Sequence, residues 1–368
     1  MIKRICFFSA GFAFNRLNRL RYYEKIFPKD IEIFLFTTNK YKEKEKENYQ
    51  HLWDGLKRTK IIVADYNLYL PFAFRKFCKE NKIDRIVNLG NRKVFPLFLF
   101  ASLFSDTEYI ISLMGGVPDE GCLKKLNIYE IGQLLFYYFF GLFSMRIITN
   151  DYGIYKRYAS NNKQNISKLF ISKNKLKFLP VTVNTELFIR KNKSRVRKRL
   201  GLNRNKKIAI FVGRTARCAD ILAELIKSNK DILFIIIGRI TDDIILKLKN
   251  KNFMHFSKKS PEELVDYYNA SDIHIALHDK SGAGLGLAAE ESLSCGVPTI
   301  IPFTDTMKDS SALFKIKLDK ESAENSLHNF FKKPEIERKA LSKEAREFAL
   351  KNFSGSIWEE RYKKHYLE

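Results

Sequence analysis

The chain reads as an α/β protein built from two parallel-sheet domains. Three observations predict this. Short apolar runs alternate with helix-length segments, the rhythm of parallel strands joined by helical crossovers. At 368 residues the chain exceeds the ~250–300 residues at which a single core stops growing. A polar stretch over 161–177, followed by Phe178-Leu179-Pro180-Val181, separates two such alternating halves.

In the first half, strands are predicted over 2–9, 31–37, 60–64, 85–89, 109–113 and 146–149, with helical segments at 15–26, 71–81, 96–104, 124–143 and 152–159. The turn Met114-Gly115-Gly116-Val117-Pro118 follows the fifth strand, at a carboxyl-end loop where open sheets of this kind place ligands. Residues 40–47 alternate Lys with Glu and read as a solvated face. Residues 181–206 read as a basic connector. The second half then gives a strand over 207–212, the turn Gly213-Arg214-Thr215, a helix over 220–228, strands over 232–237 and 253–256, a helix over 261–269 and a strand over 273–277. His274 alternates into that last strand and reads as core.

The stretch from Ser281 to Pro298 is the most informative. Gly282, Gly284 and Gly286 occupy every second position, so the backbone can approach a ligand closely. A helix is predicted from Leu287 to Ser294, ended by Gly296 and Pro298. A glycine loop feeding a helix N-terminus presents unpaired N–H groups and the positive end of a dipole, and a diphosphate fits it. A loop built only for tight packing fits the same residues. Glu291 lies about one turn into the helix, where its carboxylate can accept hydrogen bonds from sugar hydroxyls. Residues 297–303 form a further apolar strand-type run.

Composition narrows the function. Apolar residues make up 45% of the chain and aromatics 14%, enough for real cores. Five scattered cysteines without a Cys-x-x-Cys pair argue for a reducing compartment and against a disulfide frame or zinc site. No run reaches the ~18 apolar residues of a spanning helix; residues 131–145 come nearest, as a buried or a membrane-dipping helix. The net charge is +25, concentrated at Arg16, Arg19 and Arg21 and again over 190–207. Such an excess suits an acidic partner such as anionic lipid or a phosphate-bearing substrate; compositional drift toward Lys accounts for part of it. No RNA- or DNA-binding module is present.

Several segments together resemble the glycosyltransferases of family 4. Residues 178–188, ending Asn184-Thr185-Glu186-Leu187-Phe188, are similar to that family's interdomain segment. Val212-Gly213-Arg214 resembles its phosphate turn, and Ser260 through Asp272 resembles the segment before its donor loop. Glu291-Ser292-Leu293-Ser294-Cys295-Gly296-Val297-Pro298 resembles its donor helix, and the tail from Ala345 to Tyr366 its closing helices. The resemblance covers residues 178–366; the first half matches only in rhythm.

The resemblance implies a GT-B fold: two Rossmann-like domains, at 1–180 and 181–350, with a cleft between them, and a C-terminal helix at 351–368 returning to the first. It implies transfer of a sugar from a UDP- or GDP-sugar to a lipid-linked or glycan acceptor with retained configuration, on the cytoplasmic side and at an anionic membrane surface, without nucleic acid. By position, Glu291 would hold the ribose, Gly284, Leu285 and Gly286 would offer N–H groups, and Arg214 would neutralise diphosphate. Gly11 would supply first-domain backbone, and Phe256 would sit by the base. The family's second Glu falls at Ala283, and the Lys after its phosphate turn is absent, with Arg217 as substitute. Its first-domain His is replaced by Met114-Gly115, which leaves Asp119 with Glu120, or His278 with Asp279, as polar catalytic candidates. No metal or other cofactor is implied, because cationic side chains can meet the diphosphate. A donor-binding protein without catalysis is the alternative.

Overall fold

A computed structural model describes residues 2–9, 14–38, 55–65, 67, 69–89, 107–113, 144–150, 152, 155–156, 174–180, 182–214, 218–240, 252–277, 285–303 and 309–368. The chain divides into two compact units, Met1–Leu179 with Glu359–Glu368, and Pro180–Trp358. The helices expected at 96–104 and 124–143, the glycine turn at 115–116 and the Lys/Glu run at 40–47 lie outside the described residues.

The first unit holds a seven-stranded, wholly parallel sheet in the order β3-β2-β1-β4-β5-β6-β7. The strands are β1 (Arg4–Ser9), β2 (Glu32–Thr38), β3 (Thr59–Ala64), β4 (Arg85–Asn88), β5 (Glu108–Leu113), β6 (Arg146–Thr149) and β7 (Leu176–Phe178). Helices α1 (Phe14–Ile26) and α2 (Leu70–Glu80) connect the early strands. Central β1 is buried from Ile5 to Ser9, which explains its unbroken apolar run: both of its faces are covered. On one face Cys6 and Phe8 join Phe34, Phe36, Phe74 and Cys78 in a core.

The other face receives the last helix, α9 (Gly355–Leu367). Phe7 stacks on Tyr23 at 5.0 Å, and Tyr366 reaches both rings, at 6.2 Å from Phe7 and 5.2 Å from Tyr23. Tyr362 stacks on Tyr366 at 6.0 Å. Below them Arg85 is buried; it pairs with Glu108 and donates to the Tyr366 carbonyl at 2.7 Å. A buried guanidinium needs such partners, because an unpaired charge there would cost several kcal/mol.

The second unit has a six-stranded parallel sheet in the order β10-β9-β8-β11-β12-β13. Its strands are β8 (Lys207–Val212), β9 (Ile232–Ile237), β10 (Phe253–Phe256), β11 (Ile273–Ile275), β12 (Thr299–Pro302) and β13 (Leu313–Ile316). Its helices are α3 (Lys193–Arg199), α4 (Ala219–Ser228), α5 (Pro261–Ala270), α6 (Leu287–Ser294), α7 (Lys320–Lys332) and α8 (Glu335–Phe353). Helix α5 starts at a full capping box. The Ser260 hydroxyl accepts from the Glu263 N–H at 3.2 Å, and the Glu263 carboxylate accepts from the Ser260 N–H at 2.8 Å.

Two sequence expectations need correction. The polar stretch before Phe178 ends in an edge strand, β7, and the basic connector contains a helix, α3. Asn192 caps α3 through the Arg195 N–H at 3.0 Å. Its Arg197 is buried, donates to the carbonyls of Ala270 and Arg204 at 2.7 and 2.6 Å, and pairs with Asp272 at 2.9 Å. Burial raises the Asp272 carboxyl, yet Lys193 and Arg197 outweigh it and hold the group below its ordinary range. The whole of α3 is therefore pinned to the end of α5 by charge-assisted bonds.

The aromatic seat of α9 predicts that Tyr366→Ala removes about 3 kcal/mol from the first unit, read as an earlier urea midpoint. Ile336→Ala, at a site 78% exposed on α8, leaves that midpoint unchanged.

Candidate functional site

The strand order of the second sheet points to a candidate site. From β8 the chain winds outward through β9 to β10, then returns to β8's other side and winds through β11, β12 and β13. The winding reverses between β8 and β11. At such a switch point the carboxyl-end loops diverge and leave a crevice, where open α/β sheets bind ligands. Two predicted segments flank it: Gly213-Arg214 after β8, and the chain that enters α6 after β11.

The β8 turn is shaped by a close backbone approach. Gly213 donates to the Ile237 carbonyl at 2.9 Å, and Gly238 donates to the Phe256 carbonyl at 2.8 Å. Gly238 has φ +132°, and a Cβ there would lie 2.0 Å from the Gly213 carbonyl oxygen. Only glycine fits. The result fixes the turn and leaves Arg214 exposed at the carboxyl edge, where its guanidinium can meet an anion.

Helix α6 begins at Gly286, with φ +81° and no side-chain cap. Ala289 and Glu290 both donate to the Gly286 carbonyl at 3.1 Å. The N–H groups of Leu287 and Ala288, in the first turn, have no hydrogen bond among the described residues and lie at the positive end of the helix dipole. Leu285 is buried and packs with Ala289 and Leu293 in the core beneath.

Glu291 sits in the middle of α6 and is buried. Burial pushes its carboxyl up to about 8, and a hydrogen bond from the Tyr268 hydroxyl at 3.2 Å only partly offsets this. Tyr268 is itself fully buried, edge-on to Phe188 at 6.2 Å and to His274 at 5.9 Å. His274 is fully buried, as its place in the strand predicted. Tyr268 is the residue that sequence reasoning missed. It lies 23 positions before Glu291, on another helix, so no local spacing links the two.

Much of the family-like sequence holds this arrangement in place. Asn184 does an Asx-turn's work: its side-chain oxygen accepts from the N–H groups of Glu186 and Leu187 at 3.2 and 3.1 Å. Asn269 accepts from the Lys191 N–H at 2.5 Å and donates to the Ile189 carbonyl at 2.9 Å. Ser294 and Arg346 both donate to the Phe188 carbonyl, at 2.7 and 2.6 Å. Gly296 has φ +75°, and a Cβ there would lie 2.9 Å from the Ser342 carbonyl oxygen on α8.

Phe256 ends β10. Its ring packs at 5.0 Å from Tyr267, with the Lys259 ammonium 4.8 Å above it. The structure thus gathers Glu291, Leu285 and Gly286 at one helix and places Arg214 after β8 and Phe256 at the end of β10, two strands away in the same sheet. Gly11, Asp119, Arg217, His278 and Gly284 lie outside the described residues, as do Ala283, Met114 and Asp279. Among the described residues no three His, Cys, Asp or Glu side chains cluster as a metal site would need. No helix among them is long and apolar enough to cross a membrane.

Residues 192–348 match the family described as glycosyl transferases group 1. No curated protein matches the chain in sequence. Among solved structures, the chain is 16% identical to a glycosyltransferase from Rickettsia africae, covering 99% of this chain and 98% of that one at a TM-score of 0.74. Anabaena HepE in complex with UDP and glucose is 10% identical, with 98% of both chains covered and a TM-score of 0.77. Sucrose-phosphate synthase from Thermosynechococcus elongatus is 13% identical, with 99% and 98% covered and a TM-score of 0.77. At these identities the likeness is one of fold, and the fold is GT-B.

Two predictions follow from the geometry. An acid whose folded value is raised loses stability as pH climbs from its unfolded value, near 4.5, to about 8. Wild type should lose up to about 1.4 kcal/mol per pH unit across that window through this one group. Glu291→Gln, which keeps an acceptor for Tyr268, should not, so the variant's melting temperature overtakes wild type as pH rises from 5 to 9. Gly238→Ala should destabilise the second unit by about 2–4 kcal/mol through the forced turn, seen in the urea midpoint.

Proposed function

We propose that the chain transfers a sugar from a UDP-sugar to a lipid-linked or glycan acceptor, with retained configuration. The observation that carries this reading is Glu291, a buried carboxylate on the helix that opens at the sheet's switch point, inside the segment matched to the glycosyltransferase family. UDP is favoured over GDP by the ligand named for HepE, a protein of the same fold; identity this low supports the choice without carrying it.

The residues divide the chemistry between them. Cleavage of the bond from sugar to diphosphate leaves growing negative charge on the departing group. The first-turn N–H groups of α6 and the Arg214 guanidinium meet that charge, with Arg217 as a further cation. No metal ion is needed in this scheme, since fixed dipoles and arginines supply the positive field. Glu291 accepts from the ribose hydroxyls. Those bonds favour the ionised form, so a carboxyl that is neutral in the empty site gives up its proton as the nucleoside binds. The acceptor's proton passes to the departing phosphate on the same face, which leaves Asp119 and His278 to orient the acceptor or sugar. The reaction takes place at the cytoplasmic face of a membrane.

A second reading keeps the nucleotide site without the transfer. It is favoured by Ala283, which stands eight residues before Glu291 where the resembled family carries its other carboxylate.

A thermal-shift panel of UDP, GDP and ADP tests the donor. UDP at 100 times its Kd should stabilise by about 2.7 kcal/mol, or about 5–11 °C for a domain of this size. Glu291→Ala should abolish the shift. No shift with any nucleoside diphosphate would refute the donor reading. UDP binding without release of UDP from any UDP-sugar in the presence of lipid or glycan acceptors would leave the second reading standing in place of the first.

A further inference from the structure

Charged side chains line one face of the first sheet near the amino ends of its strands. The register sets Arg85, Glu108, Arg146 and Lys177 on the same face as Phe7: Ile5 pairs with Arg85, Arg85 with Glu108, Ile110 with Arg146 and Ile148 with Lys177, and side chains alternate along each strand. This is the face that α9 covers. Arg85 is held there by Glu108 and by the Tyr366 carbonyl. Arg146 donates to the Lys364 carbonyl at 2.8 Å. Two arginines thus meet the last carbonyls of α9, where the helix dipole favours cations. Between Lys364 and Tyr366 in the chain comes His365. Its Nδ1 is buried and has no partner among the described residues, so the neutral ring keeps its proton on Nε2. Burial, and then the charges of Arg146, Lys177, Lys364 and Arg361, push the imidazole down to about 4. The acids nearby are Glu108, already paired with Arg85, and Glu368, which acts on Arg146. Lys177 and Lys364 have no ion pair among the described residues.

We propose that this cluster is an anion site, in which a small phosphate-type oxyanion binds among Lys177, Lys364, Arg146 and the Nε2–H of His365. Ammonium groups meet phosphate as point charges, and a ring N–H adds a directed donor. Helix carbonyls account for the two arginines. They do not account for Lys177, half-buried in the edge strand β7, or for a half-buried imidazole set among cations. Like charges gathered there repel one another and hold the ring neutral; a bound dianion reverses both effects. Anion binding and proton uptake by His365 are therefore linked, and the ion binds more tightly as pH falls. Open α/β sheets take their substrates at the carboxyl ends of the strands, and this cluster lies toward the amino ends. It stands apart from the proposed transfer and does not rest on it.

In the full-length chain, which has six histidines, His365→Gln identifies the His365 resonance by its loss. The ring is then titrated by NMR in chloride, in inorganic phosphate, in pyrophosphate and in glucose 1-phosphate, all at equal ionic strength. Pyrophosphate should raise the midpoint of the ring by about one pH unit over chloride, the shift given by a tenfold preference of the ion for the protonated form. A shift with glucose 1-phosphate as well assigns the site to a phosphate group on a larger molecule; a shift with the inorganic ions alone assigns it to free ions. Lys177→Gln should raise the midpoint in chloride, because one positive charge is gone, and weaken pyrophosphate binding, read from the same signal, about tenfold. Lys351→Gln, the same change of charge at an exposed site on α8, should behave as wild type. The proposal is overturned if pyrophosphate moves the ring no further than chloride does, or if Lys177→Gln and Lys351→Gln respond alike. Pyrophosphate also suits a donor site, so Glu291→Ala is titrated in parallel. A shift that vanishes in that variant arises elsewhere and overturns the anion site, whereas an intact shift upholds it whatever becomes of the proposed function.

Discussion

Burying a carboxylate in a helix that is rich in polar residues is the constraint around which the second unit is arranged. Glu290, Glu291, Ser292 and Ser294 are all buried on α6. Each must find a partner inside, because an unsatisfied polar group there costs a few kcal/mol. Ser292 donates to the Val297 carbonyl, Ser294 to the Phe188 carbonyl, and Tyr268 donates to Glu291. Arg346 of α8 clasps the end of the helix, donating to the Ser294 carbonyl and hydroxyl at 2.6 and 2.8 Å. The segment before α3, helix α5 and helix α8 thus converge on one short helix. Its N-terminus is left uncapped while its body is fixed.

This arrangement separates the residues that bond to backbone inside the unit from those exposed at the carboxyl edge of the sheet. Asn184, Phe188, Asn269, Asp272, Gly296 and Arg346 bond or pack against backbone inside the protein. Arg214 and the first turn of α6 open to the carboxyl edge of the sheet. Under the proposed function Glu291 would belong to both groups. Its burial raises the cost of its charge, which makes the carboxyl a strong acceptor once a hydroxyl donor arrives. A group held in that state responds to binding and to pH together.

The two-sheet architecture could be read from the sequence because parallel strands buried on both faces leave unbroken apolar runs, as in β1 and β9. Helix α6 could be read because Gly286 and Gly296 bracket it. Strands β7 and β13 escaped notice: each is an edge strand of three or four residues with a lysine in its middle, Lys177 or Lys315. Helix α3 escaped because only Val196 is apolar in Lys-Ser-Arg-Val-Arg-Lys-Arg, and its burial depends on Arg197 finding distant carbonyls. The place of Glu291 on a helix and of Arg214 after a strand was legible in the sequence, whereas the buried state of Glu291 was not. The Tyr268 hydroxyl that meets Glu291 comes from another helix, and no local spacing encodes such a contact. The close approach of Gly238 to Gly213 was hidden for the same reason.

A crystal structure of the protein soaked with UDP tests the central claim most directly. The diphosphate should lie at the N-terminus of α6 within hydrogen-bond reach of the Leu287 and Ala288 N–H groups, with the ribose hydroxyls on Glu291. UDP bound elsewhere, or a ribose turned away from Glu291 while Tyr268 keeps its bond, would contradict the account.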